Sequence, residues 1–199
     1  MGPADQDRIH RALTSLEGAG DDVPASARHA AVAVLLRGEA LASSEVLLMR
    51  RARREGDRWS GQIGLPGGHA EEFDEDLVAT ARRESREEVG VDPGADGATL
   101  FGALPTIQAR ARGARVPLYL TPIVFHRSEP EAVVLGPEAD EAFWLPIAEA
   151  SSGALDEPYR YEHEGLIHKL PAWNYGGRVI WGMTHGILSR FIGALHAPS

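Results

Sequence analysis

The sequence predicts a single α/β or α+β sandwich, and three observations predict it. The chain has 199 residues, 43% of them hydrophobic, enough for one sizeable core. Apolar runs of strand length recur between Ala30 and Pro146, and two longer stretches carry the three- and four-residue spacing of helices. Strands that bracket helices bury both faces of a sheet in layers. In chain order, Ile9, Ala12, Leu13 and Leu16 describe a short amphipathic helix, and "EGAGDDVPASAR" after it is a loop rich in breakers. Residues 1–28 are therefore expected to form an N-terminal helix and loop extension, with the compact domain over 29–199. "AAVAVLL" (Ala30 to Leu36) and "EVLLMR" (Glu45 to Arg50) predict two neighbouring buried strands joined by the polar "RGEALASS". "ATLFGALP", "LYLTPIVF" and "EAFWLP" predict further strands. The helical spacing falls in "DEDLVATARRESREEV" and "WGMTHGILSRFIGAL", and "WNYGG" (Trp173 to Gly177) reads as a turn before the last strand and helix.

Composition narrows the function classes. Cysteine is absent, which removes a disulfide framework, a thiolate nucleophile and a thiolate metal site. The start shows no signal-like n-region and h-region, so a reducing cytoplasm is the simpler reading, and no apolar run approaches the ~18 residues of a membrane span. A net charge of -9 counts against broad binding to a nucleic acid polymer or a membrane. An anionic small molecule would need a local basic patch. The eight histidines include no pair at zinc-ligand spacing with suitable partners, and Ser60 and Ser85 lack the setting of an activated nucleophile.

The chemistry concentrates in "GLPGGHAEEFDEDLVATARRESREEVGVD", Gly64 to Asp92. Nine carboxylates crowd it: Glu71, Glu72, Asp74, Glu75, Asp76, Glu84, Glu87, Glu88 and Asp92. On a helix from about Asp76 to Val89, the residues Val78, Ala81, Ser85 and Val89 face the core, while Glu84, Glu87 and Glu88 share one side. Like charges so placed repel by a few tenths of a kcal/mol per exposed pair, and more where water is excluded. A hard divalent cation offsets this, and magnesium keeps waters that substrate phosphate oxygens can replace. Upstream, Pro66 to Gly68 makes a sharp turn whose bare backbone can approach the ion. A solvated acidic face is the bland alternative.

The run from Gly68 to Val91 resembles the Nudix box: Gly, five residues, Glu, seven residues, then Arg-Glu-aliphatic-x-Glu-Glu-x-Gly-aliphatic. Arg83, Glu84, Ser85, Arg86, Glu87, Glu88, Val89, Gly90 and Val91 match its tail, with Ser85 in place of an apolar residue. Counted from Gly68 the first acid is Asp74; counted back from Arg83 it is Glu75. The resemblance implies an α/β/α sandwich with a mixed sheet that hydrolyses a nucleoside diphosphate linked to another moiety. It implies that Glu84, Glu87 and Glu88, with the carbonyl of Gly68, hold Mg2+ or Mn2+. It further implies that Arg83 braces the helix beside the structural glycines Gly67 and Gly90. The general base would be a helix glutamate, Glu84 or Glu87, or one on a later loop, for which Glu138 and Glu141 are the candidates.

The region from Leu47 to Gly68 and the C-terminal "GGRVIWGMTHGILSRFI" resemble the coenzyme A diphosphatase branch, with Met49 and Leu65 departing from its pattern. The expected reaction is then hydrolysis of coenzyme A to 3',5'-ADP and 4'-phosphopantetheine. The alternatives are another nucleotide substrate, such as ADP-ribose, a dinucleotide polyphosphate or an oxidised nucleoside triphosphate, and a non-catalytic nucleotide sensor. Five arginines between Arg50 and Arg58 stand against Glu55 and Asp57. Arg50, Arg51, Arg54 and Arg58 are thus candidates to receive a further phosphate, arginine being suited to bidentate contacts; a solvated basic loop is the alternative. Trp59 could stack on an adenine or cover that loop. "QARARGARVP" (Gln108 to Pro117) could line the substrate or turn a hairpin. A homodimer is compatible with this reading, and the sequence specifies no oligomeric state.

Overall fold

The computed structural model describes residues 1–56, 59–111, 114–163 and 166–197. In chain order the elements are α1 (Pro3–Leu16), β1 (Arg28–Arg37), a 3-10 turn (Leu41–Ser43), β2 (Glu45–Arg51), β3 (Ile63–Gly64), β4 (Gly67–His69), α2 (Leu77–Val89), β5 (Thr99–Ala103), β6 (Ile107–Ala111), β7 (Ala114–His126), β8 (Ala139–Pro146), α3 (Ile147–Ser151), β9 (Tyr159–His163), β10 (Leu166–Leu170), β11 (Ala172–Tyr175), β12 (Arg178–Trp181) and α4 (Gly182–Leu195).

β1 is the spine. It pairs in parallel with β7 from Arg28↔Leu118 to Leu36↔His126, and antiparallel with β2 and β4. β8 and β3 add to β2, while β5 and β6 add to β7, all antiparallel, so the eight-stranded sheet is mixed. A nearly continuous apolar run in β1 fits a strand covered on both faces.

Alternate residues sort onto two layers. Val32, Val34, Leu36, Val46, Leu48 and Val124 join Ile9 and Leu13 of α1 and Leu188, Phe191 and Leu195 of α4 in one core. Ala31, Ala33, Leu35, Leu47, Met49, Ile123 and Phe125 join Ala81 and Val89 of α2 in the other. The expected α/β/α sandwich is therefore the fold. Ala31 and Ala33 are small, which lets α2 lie close over β1 and β4. Each fully buried Leu, Ile or Phe stabilises by about 1.5–3 kcal/mol.

The segment 1–28 shares the first core, because Ile9 is 0% exposed and Arg8 Nε donates to the carbonyl of Leu195 at 2.6 Å. Asp5 Oδ2 also accepts from the amide of Leu41 at 3.0 Å. Within "QARARGARVP" the flanking residues pair antiparallel as β6 and β7, with Arg110 opposite Arg115, while Arg112 and Gly113 lie outside the described residues. The β9–β10 hairpin has no counterpart in the sequence reading. β10 is exposed at its first four positions, so no buried alternation marks it. Among the described residues no helix is long and apolar enough to cross a membrane.

Truncating Ile9 to alanine should lower unfolding free energy by about 2–5 kcal/mol, as for other fully buried aliphatic residues. Urea titration of the variant checks this, and a change too small to measure would make residues 1–28 an energetically separate extension.

Candidate active site

The site begins where β4 lies against β1. Ala31 pairs with Gly68 and Val32 with Gly67, and the amide of Ala33 donates to the carbonyl of Pro66 at 2.8 Å. Gly67 has φ +152, and a Cβ there would stand 2.3 Å from the carbonyl oxygen of Ala31. Only glycine fits. A Cβ on Gly68 would stand 2.6 Å from the carboxylate of Glu84, so the helix glutamate rests directly on bare backbone. Gly67 and Gly68 belong to a strand paired with β1, not to the sharp turn expected there, because pairing with Ala31 and Val32 draws the segment into the sheet.

α2 is capped at both ends. Asp76 Oδ1 accepts from the amide of Ala79 at 2.7 Å, and Gly90 closes the helix in the left-handed region at φ 70. Ala81, Ser85 and Val89 face the core as their spacing predicts. Glu88, one position from Val89, is also drawn inward: its side chain is 2% exposed and its Oε2 accepts from the amide of Gly67 at 2.7 Å. Burial pushes its carboxyl up to about 8, with the negative fields of Glu84 and Glu138 adding to the rise against the Gly67 bond and Arg51. Burial likewise raises Glu84, although Arg83 Nη1 donates to it at 2.8 Å. Glu87 is the outermost, its side chain 59% exposed and paired with Arg83 at 3.2 Å.

Arg83 is the brace. It forks onto Asp74, Nε to Oδ1 and Nη2 to Oδ2, both at 3.0 Å, and donates to the carbonyl of His69 at 2.8 Å. Asp74 also accepts from Thr80 Oγ1 at 2.9 Å and from the amide of Glu71. Of the two acids that spacing left open, Asp74 is thus the one held by Arg83. The Arg83 bond holds its carboxyl at about 2, well below the ordinary value.

The loop after β7 wraps the end of α2, where Val134 and Gly136 amides donate to the carbonyls of Val89 and Glu88. A Cβ on Gly136 would sit 1.9 Å from the carbonyl oxygen of Glu87. This close approach delivers Glu138 to the neighbourhood of Glu84 and Glu88. Sequence reasoning did not single out Gly136; the Gly-Pro pair at 136–137 was its one signal.

Glu138 and Glu141 differ in setting. Glu138 is 45% exposed and pairs with Arg54 at 3.0 Å. Glu141 is held between Arg178 at 2.7 Å and Arg50 at 3.2 Å, and the Arg178 bond lowers its carboxyl below the ordinary range. The arginines expected to form an open phosphate patch are interleaved with acids instead: Arg50 with Glu141, Arg51 with Glu88 at 3.7 Å and Arg54 with Glu138. Arg58 lies outside the described residues.

Among the described residues no three acidic or imidazole groups stand together at metal-ligand distance. Glu84, Glu87 and Glu88 each face an arginine instead. The donor set nonetheless fits a hard divalent cation: a nearly buried carboxylate crowded by two like charges, and a glycine strand kept bare beneath Glu84. A cation would relieve that crowding.

A narrow cavity of about 170 Å3 lies beside β4, lined by Gly67, Gly68, Arg51, Leu65 and Trp59. A wider one of about 1260 Å3 neighbours it, and Trp59, Gln62, Trp181 and Met183 line both.

A mixed sheet between helices, with a glycine strand under a glutamate helix, is the architecture of a Nudix domain. Residues 27–170 match the NUDIX domain, and the chain belongs to that family. It is 30% identical to the uncharacterized Nudix hydrolase NudL of Citrobacter koseri over 78% of each chain. It is 31% identical to NudL of Cronobacter sakazakii over 65% of this chain and 64% of that one, just under two thirds of the relative's length. Among solved structures it is similar to a MutT/nudix family protein from Enterococcus faecalis, with 19% identity, a TM-score of 0.55, and 96% of this chain and 73% of that one covered. An Ap4A hydrolase from C. elegans gives 19% identity and a TM-score of 0.54 over 84% of this chain and 97% of that one. These two likenesses concern the fold.

Replacing Asp74 with asparagine should cost about 1.5–3 kcal/mol near neutral pH, the worth of hydrogen bonds to a charged partner. A depressed carboxylate stabilises the fold above its unfolded value of 3.8 and loses that contribution as pH falls through about 2. The gap between parent and variant should therefore hold above about pH 4 and shrink below it. Urea midpoints across that range check this; a gap that does not change with pH would contradict it.

Proposed function

We propose that the protein is a divalent-cation-dependent hydrolase that cleaves the diphosphate of coenzyme A into 3',5'-ADP and 4'-phosphopantetheine. The observation that carries the hydrolase reading is the bare Gly67–Gly68 strand laid against Glu84 and Glu88, with both glycines also lining the narrow cavity. Coenzyme A is favoured by the resemblance of Leu47 to Gly68 and of the Ile180 to Thr184 segment to that branch, and by arginines on the cavity walls. Arg51 lines the narrow cavity and Arg50 the wide one.

Glu84, Glu87 and Glu88, with the Gly68 carbonyl, are the residues that would hold Mg2+ or Mn2+. When bound, the cation neutralises diphosphate charge and supplies a more acidic water. Arg83 holds Glu84 and Glu87 on one side of α2, and the Gly67 amide fixes the rotamer of Glu88. Such preorganisation lowers the barrier by positioning and electrostatics. Glu138, whose field reaches both Glu84 and Glu88, is the better placed of the two later glutamates to take the proton from water. Glu141 is occupied by two guanidinium groups, so its role is to orient Arg50 and Arg178. Water adds at one phosphorus of the diphosphate, the bridging P–O bond breaks, and each half keeps one of its two phosphates, so that 3',5'-ADP leaves with its 3'-phosphate as well and 4'-phosphopantetheine with its single one.

Glu88→Gln keeps an acceptor for the Gly67 amide and removes the carboxylate that a cation would draw on. Turnover should fall by about two or more orders of magnitude while the cation-free protein unfolds no more easily than the parent. Near-parental rates with magnesium would remove Glu88 from the site.

A magnesium-dependent panel of coenzyme A, ADP-ribose, a dinucleotide polyphosphate and a nucleoside triphosphate, with products identified by mass, tests the substrate. Coenzyme A should give the highest kcat/KM and the two named products. Preference for another member of the panel would move the assignment to that compound, and hydrolysis of none would favour a nucleotide sensor.

A further inference from the structure

We propose that the wide cavity beside the β9–β10 hairpin is a stacking site for the base of the nucleotide, with Tyr159, Tyr161 and Trp181 as its aromatic wall. The proposal rests on the reading that the substrate carries a nucleoside diphosphate, and it does not require coenzyme A.

Tyr159 and Tyr161 are alternate residues of β9 and so project from one face. Their cross-strand partners Leu170 and His168 line the same cavity. Four residues of that face therefore border the cavity, while Leu166 farther along the same face and Ile167 on the other stand 64% and 61% exposed. A two-stranded hairpin is marginal by itself. Its rings settle on Trp181, with centroids 4.6 Å away for Tyr159 and 5.4 Å away for Tyr161, both tilted by 35°. All three rings remain only half-buried, as a surface that receives a flat ligand requires.

Trp181 is held firmly. It pairs with Ala172 across β11 and β12, Gly182 after it turns at φ 63, and Thr184 Oγ1 donates to the carbonyl of Ile63 at 3.1 Å. It lines both the wide cavity and the narrow one that reaches Gly67 and Gly68. A ligand with its diphosphate at Gly67 and Gly68 would have the aromatic chamber next to it, on the far side of Trp181. Stacking on rings selects a planar heterocycle over a flexible arm, and every base presents a suitable face. Arg110 on the same wall suits a phosphate on the attached ribose. Trp59, whose Nε1 donates to the carbonyl of Arg110 at 3.1 Å, braces the β6–β7 hairpin against this chamber.

The test is equilibrium binding to the cation-free full-length protein, followed by tryptophan fluorescence and calorimetry. The probes are adenosine 3',5'-bisphosphate, ribose 5-phosphate and 4'-phosphopantetheine. Tyr161→Leu and Tyr159→Leu should each weaken adenosine 3',5'-bisphosphate roughly tenfold, leave ribose 5-phosphate unchanged, and leave thermal unfolding close to the parent. Tyr161→Phe, which keeps the ring, should restore the loss. Unchanged affinity in both leucine variants would overturn the proposal, as would a loss confined to 4'-phosphopantetheine, which would give the chamber to the other half of the substrate. A base-specific loss in a protein that fails to hydrolyse coenzyme A would keep the stacking site and reject that substrate. Coenzyme A hydrolysis without any base-specific loss would do the reverse.

Discussion

The amide of Gly67 donates to the carboxylate of Glu88, and the rest of the site is arranged around that bond. It joins the tip of a strand on the sheet to the last turn of the helix above it, in a place where water scarcely reaches. A carboxylate so enclosed is costly in its charged form, and one backbone donor with a guanidinium 3.7 Å away offsets only part of that cost. Its carboxyl rises to about 8 for this reason. The fold thus stores an electrostatic demand at the point where a diphosphate and its cation would meet. Glycine at 67 is the condition for it, since any side chain would push the strand off β1 and carry the amide out of reach.

Around that bond the chain spends several elements on holding carboxylates still. Arg83 ties Asp74, Glu84, Glu87 and the carbonyl of His69 into one cluster, which links the loop before α2 to the middle of the helix. Arg82 and Arg86 both reach Asp92 past the helix end; burial pushes that carboxyl up, and the Arg82 fork with the Gly94 amide brings it below its ordinary value. The loop from Val134 to Glu138 then locks onto the last carbonyls of α2. The backbone of such a site, a capped helix, a sheet edge and a clamped loop, is already in place, so that receiving a cation would call for side-chain movement, with Arg83 and Arg51 giving way to it.

Much of this was legible because it is local. The spacing of Val78, Ala81, Ser85 and Val89 set the face of α2, and the apolar runs at 30–36 and 45–50 marked the central strands of the sandwich. What depended on distant partners was not legible. A surplus of arginines between Arg50 and Arg58 suggests a free cationic patch, yet Glu141 lies 91 positions from Arg50 in the chain and neutralises it in space. Spacing could not choose between Asp74 and Glu75, because the choice is made by where a guanidinium fork lands. The β9–β10 hairpin escaped notice because it carries no buried face of its own; its tyrosines face a cavity instead of a core.

The account's central claim is that the Gly67–Gly68 strand and the glutamates of α2 form one cation site. Titration of Mn2+ into the apoprotein, followed by electron paramagnetic resonance, measures this without turnover. The account predicts binding by the parent that weakens at least tenfold when Glu84 and Glu88 are both changed to glutamine, with the fold intact by circular dichroism. Equal Mn2+ binding by parent and double variant would contradict it.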